Sequence, residues 1–331
     1  MHSNSACDTV VEGSVRSIGD VVRVTAQLID AASARVLWSG RFEADPAQLV
    51  DLQDDIARGV ISELEPELTR AEIALIHRLR PSNVGAWGHY QQGVGAVTLI
   101  GWTEEAIREA RNKLRMAYQL DPGFAEAEAL FALWTVLGST TGLLPSTSDI
   151  VEEARIAAEH ALSLDDGNTL VLGFAGCALA DIGQLERGAQ ILLRALEIDP
   201  SNAQAHVALG VTYGRMGRSD DSLERMSYGM RISPRDRRLG FWGWALGCRL
   251  MKAQRLEEAL EETLASARRD PRLHLSRILE AALLLEMGRE SEARIAVATA
   301  RFIRSRLSLQ EVAHTHGPRI GARLDALWRD G

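Results

Sequence analysis

The chain has 331 residues, of which 46% are hydrophobic and 25% charged, and its formal net charge is −8. These values are ordinary for a globular or repeat protein, and the negative charge excludes a global basic field that would attract nucleic acid or anionic lipid. Cys7, Cys177 and Cys248 are odd in number and far apart, so they predict neither a disulfide framework nor a metal knuckle. Residues 1–8 lack a signal-peptide core, and the apolar run 239–251 is too short to span a bilayer, which indicates a cytoplasmic protein.

Strand periodicity marks the first part of the chain. Apolar and polar residues alternate with a period of two in 11–16, 22–28 and 36–41, and turn signals occupy 17–20 and 30–33. In the third run, Val36 and Trp38 are expected on the same face. The alternation predicts a three-stranded antiparallel meander with one dry face.

A helix is predicted after the meander. Asp45 is placed to cap it, Pro46 to occupy its first position, and an apolar stripe continues to Leu64. We therefore expect a small α/β domain over residues 1–66, followed by a helical linker over 67–83.

These segments resemble a known family. The sequences at 11–16 (Val-Glu-Gly-Ser-Val-Arg), 22–30 (Val-Arg-Val-Thr-Ala-Gln-Leu-Ile-Asp) and 52–56 (Leu-Gln-Asp-Asp-Ile) are similar to the TolB amino-terminal-like domain. That domain precedes tetratricopeptide arrays in bacterial class III adenylate/guanylate cyclases and in CadC-like winged-helix regulators. The resemblance implies that this chain corresponds to the C-terminal region of such a protein. Ala34 departs from the pattern, because the family usually has glycine at that turn.

The resemblance also implies a partial domain. The family domain begins with a further strand and helices, which this sequence lacks before Val11. One face or edge of the sheet should then be open to water. We expect the first ~60 residues to be the least stable part of the chain, or to pair edge to edge with a second copy in a homodimer.

Helical repeats are predicted next. Residues 169–200 align with 203–234 after a shift of 34 residues, with glycine recurring at the interhelix contact and at the turn, and proline at the end. A 34-residue period of this kind resembles the tetratricopeptide repeat, a pair of short helices. With an insertion in the loop 138–149, the pattern predicts about six helical pairs over 84–305 and a capping helix over 306–331. The predicted fold is thus mostly α: a tetratricopeptide-type α-solenoid preceded by a small partial α/β domain.

No catalytic site is predicted. Class III cyclases need two metal-binding aspartates on a separate domain, and the sequence has no glycine-rich phosphate loop. His314 and His316 lack a cysteine or carboxylate pair spaced to complete a metal site. Cys177 and Cys248 are expected to be small packing residues. The sequence therefore indicates a non-enzymatic chain without a cofactor or a metal.

Partner binding is predicted on the concave face, which the first helix of each repeat lines. Counting the inward-facing positions from the start of each repeat selects nine residues, which include Gly173 and Cys177. Seven of them are taken as candidate partner-binding residues: Leu170, Gln204, Val207, Val211, Phe241, Trp244 and Cys248. These positions are mostly apolar and lack the Lys, Asn and Arg residues with which some families clamp a carboxylate tail. The Arg-rich segments 235–238 and 301–306 are interpreted as solvated faces. An apolar groove suits an amphipathic helix or an extended hydrophobic segment from a partner protein, or from a neighbouring domain of the same protein.

The sequence favours a non-catalytic protein–protein interaction module of a bacterial signalling or regulatory protein, without direct contact to nucleic acid or membrane. Two alternatives stay open. The chain could be the regulatory C-terminal part of an adenylate/guanylate cyclase, or of a winged-helix transcriptional regulator. In either case the catalytic or DNA-binding domain would be absent from this chain.

Overall fold

The computed structural model describes residues 9–18, 21–30, 35–44 and 84–329, which form a small β-sheet and an array of helices. The sheet has three antiparallel strands in the order β1-β2-β3. The strands are β1 (Thr9–Ile18), β2 (Val21–Asp30) and β3 (Val36–Ala44). The predicted meander is therefore confirmed.

The first turn is shorter than predicted. β1 and β2 pair without interruption, and their last pair joins Ile18 to Val21. Only residues 19 and 20 lie between the strands, whereas the sequence suggested a turn over 17–20. A two-residue connection is the usual length for a tight hairpin, because its twist matches that of the strands.

A β-bulge alters the faces of β3. Leu28 pairs with Trp38, but the next residue, Ile29, pairs with Val36, so Leu37 is an additional residue on β3. Register partners share a face of the sheet. Val36 is therefore in register with Ile29, and the predicted alternation does not continue without interruption through β3. Strict alternation could not reveal this, since the inserted residue shifts the period by one.

The structure does not test the expectations about pairing at the sheet edges or about the helix and linker after the strands. Among the described residues, no further strand pairs with the outer edges of β1 or β3, and pairing with a second copy stays a prediction. The predicted helix over 45–64 and the linker over 67–83 lie outside the described residues.

The described part of the chain contains fourteen helices, arranged as seven successive pairs. They are α1 (Val84–Ile100), α2 (Glu104–Leu120), α3 (Ala125–Thr140), α4 (Ser148–Leu164), α5 (Thr169–Asp181), α6 (Leu185–Ile198), α7 (Ala203–Arg215), α8 (Ser219–Ile232), α9 (Leu239–Lys252), α10 (Leu256–Arg269), α11 (His274–Glu286), α12 (Glu290–Ile303), α13 (Leu309–His316) and α14 (Pro318–Arg329). The six predicted pairs are confirmed. The segment 306–331 contains two helices and not one, because Gly317 adopts a φ of 97° and Pro318 starts a new helix.

Small residues allow the two helices of a repeat to approach closely. A Cβ on Gly188 of α6 would lie 2.7 Å from the carbonyl oxygen of Gly176 on α5. In the next repeat, a Cβ on Gly210 would lie 2.8 Å from the carbonyl oxygen of Ser222. Leu192 and Met226, which are equivalent in the two repeats, are both fully buried at these contacts. The 34-residue spacing thus reflects the same interhelix contact made twice.

The first helical pairs also contact the last ones. Arg272 Nη1 donates a hydrogen bond of 2.7 Å to the carbonyl oxygen of Leu99, at the end of α1. Trp102, in the turn after α1, stacks on Phe241 of α9 with ring centroids 4.2 Å apart. Leu275 of α11 belongs to the same buried core as Trp102. The array is therefore closed across its interior by direct contacts.

The loop between α3 and α4 takes part in this closure. His314 Nε2 of α13 donates to the carbonyl oxygen of Ser139 at 3.1 Å, and Arg304 Nη2 donates to that of Gly142 at 3.0 Å. Leu143 and Leu144 in the loop are buried. The predicted insertion is thus a packed element that contacts the C-terminal helical pair.

We expect Gly188→Ala to lower the free energy of unfolding by about 1–3 kcal/mol, because the new methyl group would collide with the backbone of α5. Gly88→Ala in α1 is the matched control, since nothing lies within 4 Å of the position that its new methyl group would occupy. That change should be neutral or stabilise by up to about 1 kcal/mol through helix propensity. Chemical denaturation followed by circular dichroism measures both. A Gly188→Ala protein as stable as the Gly88→Ala protein would contradict the close approach.

Candidate functional site

A cavity of about 490 Å³ lies inside the helical array. Its walls come from α3, α5, α7 and α9, from the turn after α1, and from residues 314–317 at the end of α13. The volume falls within the roughly 300–1,000 Å³ that is typical of ligand pockets. The cavity is therefore the candidate binding site of the array.

Six of the seven residues predicted for the groove line this cavity. They are Gln204, Val207, Val211, Phe241, Trp244 and Cys248. Leu170 does not line it and is 46% exposed in the first turn of α5. On that helix the lining residues are Cys177 and Asp181, two and three turns further along. A spacing of three to four residues brings the lining positions of each helix to one face.

An aromatic wall forms one side of the cavity. Trp102 stacks on Phe241, and the rings of Phe241 and Trp244 are 5.1 Å apart at their centroids. Trp134 of α3 meets Trp102 edge to face at 5.7 Å. Sequence reasoning did not identify Trp102, which reaches the cavity from the turn after α1, or Trp134 of α3, because repeat positions were counted only from residue 169 onward.

Trp244 both lines the cavity and holds the C-terminal pair. Its indole N–H donates a hydrogen bond of 3.1 Å to Nε2 of His316. The same Nε2 lies 3.2 Å from the carbonyl oxygen of Leu275, and burial lowers the pKa of His316 to about 4, so the ring is neutral near pH 7. Replacing Trp244 would therefore disturb the fold as well as the cavity.

The cavity is not simply apolar, and this corrects the sequence expectation. Its lining includes the cationic residues Arg215, Arg237, Arg238, Arg249 and Lys252, against the two carboxylates Asp181 and Asp270. None of the cations occupies a position that repeat counting selects: they lie in the last turns of α7 and α9 and in the loop before α9. Arg238 was interpreted as part of a solvated face, but it donates to Gln204 Oε1 at 2.7 Å inside the cavity wall.

Two of these cations, Arg215 and Arg249, act on one buried carboxylate. Arg215 Nη1 lies 2.6 Å from Asp181 Oδ1, and burial raises the pKa of Asp181 although the neighbouring arginines oppose it. Arg249 Nε and Nη1 are buried and have no hydrogen-bond partner among the described residues. Burial lowers the pKa of Arg249, and the charge of Arg249 in turn lowers the pKa of Lys252. This side of the cavity therefore carries more positive charge than the carboxylate of Asp181 can neutralise.

Chemical reactivity is low in the described site. Cys177 and Cys248 are free thiols, and burial raises the pKa of Cys248 to about 12 and that of Cys177 well above its ordinary value. Such thiols are poor nucleophiles, since the thiolate is the reactive form. Among the residues that the structure describes, no group of three or more His, Cys, Asp or Glu side chains could hold a metal ion. Within the same residues, no helix combines the length and the apolar character required to cross a membrane.

Comparison with known proteins identifies the repeat. A family model described as TPR repeat matches residues 176–217, from the middle of α5 to the turn after α7. "Putative adenylate cyclase 3" of Rhizobium meliloti (strain 1021) is 27% identical over 156 residues, which cover 47% of this chain and 26% of that protein. The chain thus spans about a quarter of the curated relative it matches. The family match confirms a tetratricopeptide repeat where the 34-residue period was found.

Solved structures with similar helical repeats share little sequence with this chain. YrrB, described as a TPR protein with an unusual peptide-binding site, is 17% identical, with 62% of this chain and 97% of that chain covered and a TM-score of 0.38. PilF of Pseudomonas aeruginosa is 19% identical, with 72% and 97% covered and a TM-score of 0.44.

We expect acid to destabilise the array through buried histidine. His274 is 2% exposed, and burial beside Arg304 and His316 lowers its pKa to about 3, against about 6.5 in an unfolded chain. As the pH falls below 6.5 the unfolded chain takes up a proton that the folded protein does not, so stability declines between pH 6.5 and 3. For one such group the loss reaches about 2 kcal/mol at pH 5.

The measurement is the free energy of unfolding at pH 7 and at pH 5 for the original protein and for His274→Gln. The variant should lose about 2 kcal/mol less over this interval. Equal losses in the two proteins would show that His274 is not held neutral by burial.

Proposed function

We propose that the helical array is a non-catalytic interaction module that binds a short segment of a partner protein in the cavity. The observation that carries this proposal is the convergence of six of the seven residues predicted from repeat positions on one cavity with an aromatic wall. Tetratricopeptide and related solenoid repeats use their concave faces for binding, which supports the same conclusion.

The closure of the array favours a short segment over a long helix. Residues 314–317 form one wall, and the hydrogen bonds from His314 to Ser139 and from Trp244 to His316 hold that wall in place. A helix with side chains is about 10–12 Å across. A few extended residues with apolar or aromatic side chains fit such a bounded space better than the amphipathic helix considered from the sequence.

We further propose a place for the module in bacterial signalling or regulation. The strand segments resemble the TolB amino-terminal-like domain, and 47% of the chain is similar to a protein named as a putative adenylate cyclase. The partner segment can come from another protein or from a neighbouring domain of the same protein. The free thiols of Cys177 and Cys248 are compatible with a reducing compartment, and a cytoplasmic location is part of the proposal.

A second candidate is the regulatory part of an adenylate/guanylate cyclase, which the partial match to the Rhizobium meliloti protein favours. The winged-helix regulator is supported by the CadC-like resemblance alone. Both candidates keep the array non-catalytic and differ only in the domain that it serves.

We expect the purified chain to produce no cyclic nucleotide from ATP or GTP in the presence of Mn²⁺. The described residues offer neither a metal-binding group nor a reactive thiol, and the sequence lacks the metal aspartates of class III cyclases. Chromatography of the reaction products measures this, with an active class III catalytic domain as the positive control. Product above that of heat-denatured protein would contradict the non-catalytic assignment.

Peptide selection tests the binding site itself. Peptides of about 12 residues selected from a random display library on the full chain should bind at least tenfold more weakly to Val211→Arg, a loss of about 1.4 kcal/mol. Val211 lines the cavity and is partly accessible, so an arginine there fills the space without removing a core side chain.

Ile295→Arg is the matched control, because Ile295 is 68% exposed on α12 and lies outside the cavity lining. It should leave peptide affinity unchanged. Selected peptides that bind both variants equally well would place the interaction surface elsewhere on the array.

A further inference from the structure

We propose that the cavity binds a small organic anion, with a flat apolar body against Trp102, Phe241 and Trp244 and an acidic group directed towards Arg249 and Lys252. This inference goes beyond the proposed function, because it requires no partner protein.

The first argument is the sign of the charge. The chain as a whole carries a net charge of −8. The cavity lining reverses that sign: it contains five Lys or Arg side chains and two Asp side chains, and the excess stays positive when the pairing of Arg238 with Asp236 is counted. A concave site lined by one sign of charge and bounded by apolar walls concentrates ions of the opposite sign. The cavity is thus electrostatically suited to anions although the protein is acidic.

The second argument is the incomplete pairing of Arg249. Its side chain lines the cavity, yet Nε and Nη1 are buried without a hydrogen-bond partner among the described residues. The nearby carboxylate of Asp181 is already paired with Arg215 at 2.6 Å. A buried charge that lacks compensation is costly, so an anion that enters the cavity would gain from a cation already desolvated. Lys252, which repels Arg249, adds to that gain.

The position of Arg249 is also built into the fold. A Cβ on Gly214 of α7 would lie 2.8 Å from Arg249 Cδ, so only glycine leaves room for this side chain between α7 and α9. The guanidinium is therefore held against the cavity wall and is not a freely moving surface group.

The third argument is the shape of the apolar side. Trp102, Phe241 and Trp244 form consecutive ring contacts with centroids 4.2 and 5.1 Å apart. Aromatic surfaces of this kind favour flat apolar groups, through offset stacking or edge contacts. The cavity volume of about 490 Å³ accommodates a molecule of two or three rings. Cationic and aromatic walls in one small cavity define the ligand class as an aromatic or similarly flat organic acid.

Two dyes with nearly the same rings test the proposal. 8-Anilinonaphthalene-1-sulfonate carries a sulfonate, and N-phenyl-1-naphthylamine is its uncharged counterpart. The full chain should bind one sulfonate dye per molecule, at least tenfold more tightly than the neutral dye. Energy transfer from tryptophan to the bound dye reports proximity, because Trp102 and Trp244 line the cavity.

Variants then locate the site. Lys252→Gln and Arg249→Met should each lower the affinity for the sulfonate dye at least tenfold. Neither variant should change the affinity for the neutral dye. Arg155→Gln is the matched control, because Arg155 is an exposed arginine of α4 that pairs with Glu152 outside the cavity. Should Arg249→Met fail to fold, as judged by circular dichroism, Lys252→Gln still tests the site, because Lys252 is exposed and its replacement removes no buried side chain.

Each of the following outcomes would overturn the proposal. The two dyes could bind with equal affinity, or the sulfonate dye could bind at several sites and be insensitive to Lys252→Gln and Arg249→Met. A short acidic peptide such as acetyl-Glu-Trp-Glu-amide could bind in a Lys252-dependent manner while neither dye binds, which would assign the charged wall to the partner segment. If Val211→Arg does not weaken the binding of the selected peptides, the proposal of a partner protein is contradicted. The comparison of the two dyes still tests the anion site independently.

Discussion

The contact that joins the beginning of the helical array to its end determines the rest of this structure. In an open repeat protein each pair contacts only its neighbours, and stability is close to a sum of local terms. Here Trp102 stacks on Phe241, and Arg272 bonds to the backbone of Leu99 across 173 residues of sequence. These contacts convert a concave face into a bounded cavity. The geometry of the site therefore depends on residues that are far from it in sequence.

The local part of the fold was predictable because it follows from short-range periodicity. The glycines of the 34-residue repeat mark interhelix contacts, and the same counting brought Gln204, Val211 and Phe241 to one cavity. Long-range closure was not predictable, since it depends on small rotations that accumulate over several pairs. This is why Trp102 and the charge of the cavity, including Arg249, emerged only from the structure. The break at Gly317 was not predicted, because the amphipathic pattern around it favoured one continuous helix.

Charges are distributed differently on the outside and the inside of the array. On outer surfaces, arginines pair with glutamates three residues away, as in Arg155 with Glu152 and Arg289 with Glu292. Such exposed pairs contribute little to stability, about 0–1 kcal/mol each. At the cavity, Arg249 is half-buried beside the exposed Arg215 and Lys252, and the carboxylate of Asp181 is already paired with Arg215. Exposed cations are solvated by water. A buried cation without a partner lowers the stability of the folded protein until an anion binds beside it.

Arg304 and His314 donate hydrogen bonds to the end of α3 and to the loop that follows it. These bonds affect how the C-terminal end of the array can open. A terminal repeat normally has one neighbour and opens first, independently of distant repeats. Here, detaching α13 breaks the hydrogen bond from His314 to Ser139 of the second helical pair and the bond between Trp244 and His316. Opening at the C-terminal end and loosening near the beginning of the array are thus one event. The cavity is emptied or filled only as fast as this coupled opening, or the mouth of the cavity, allows.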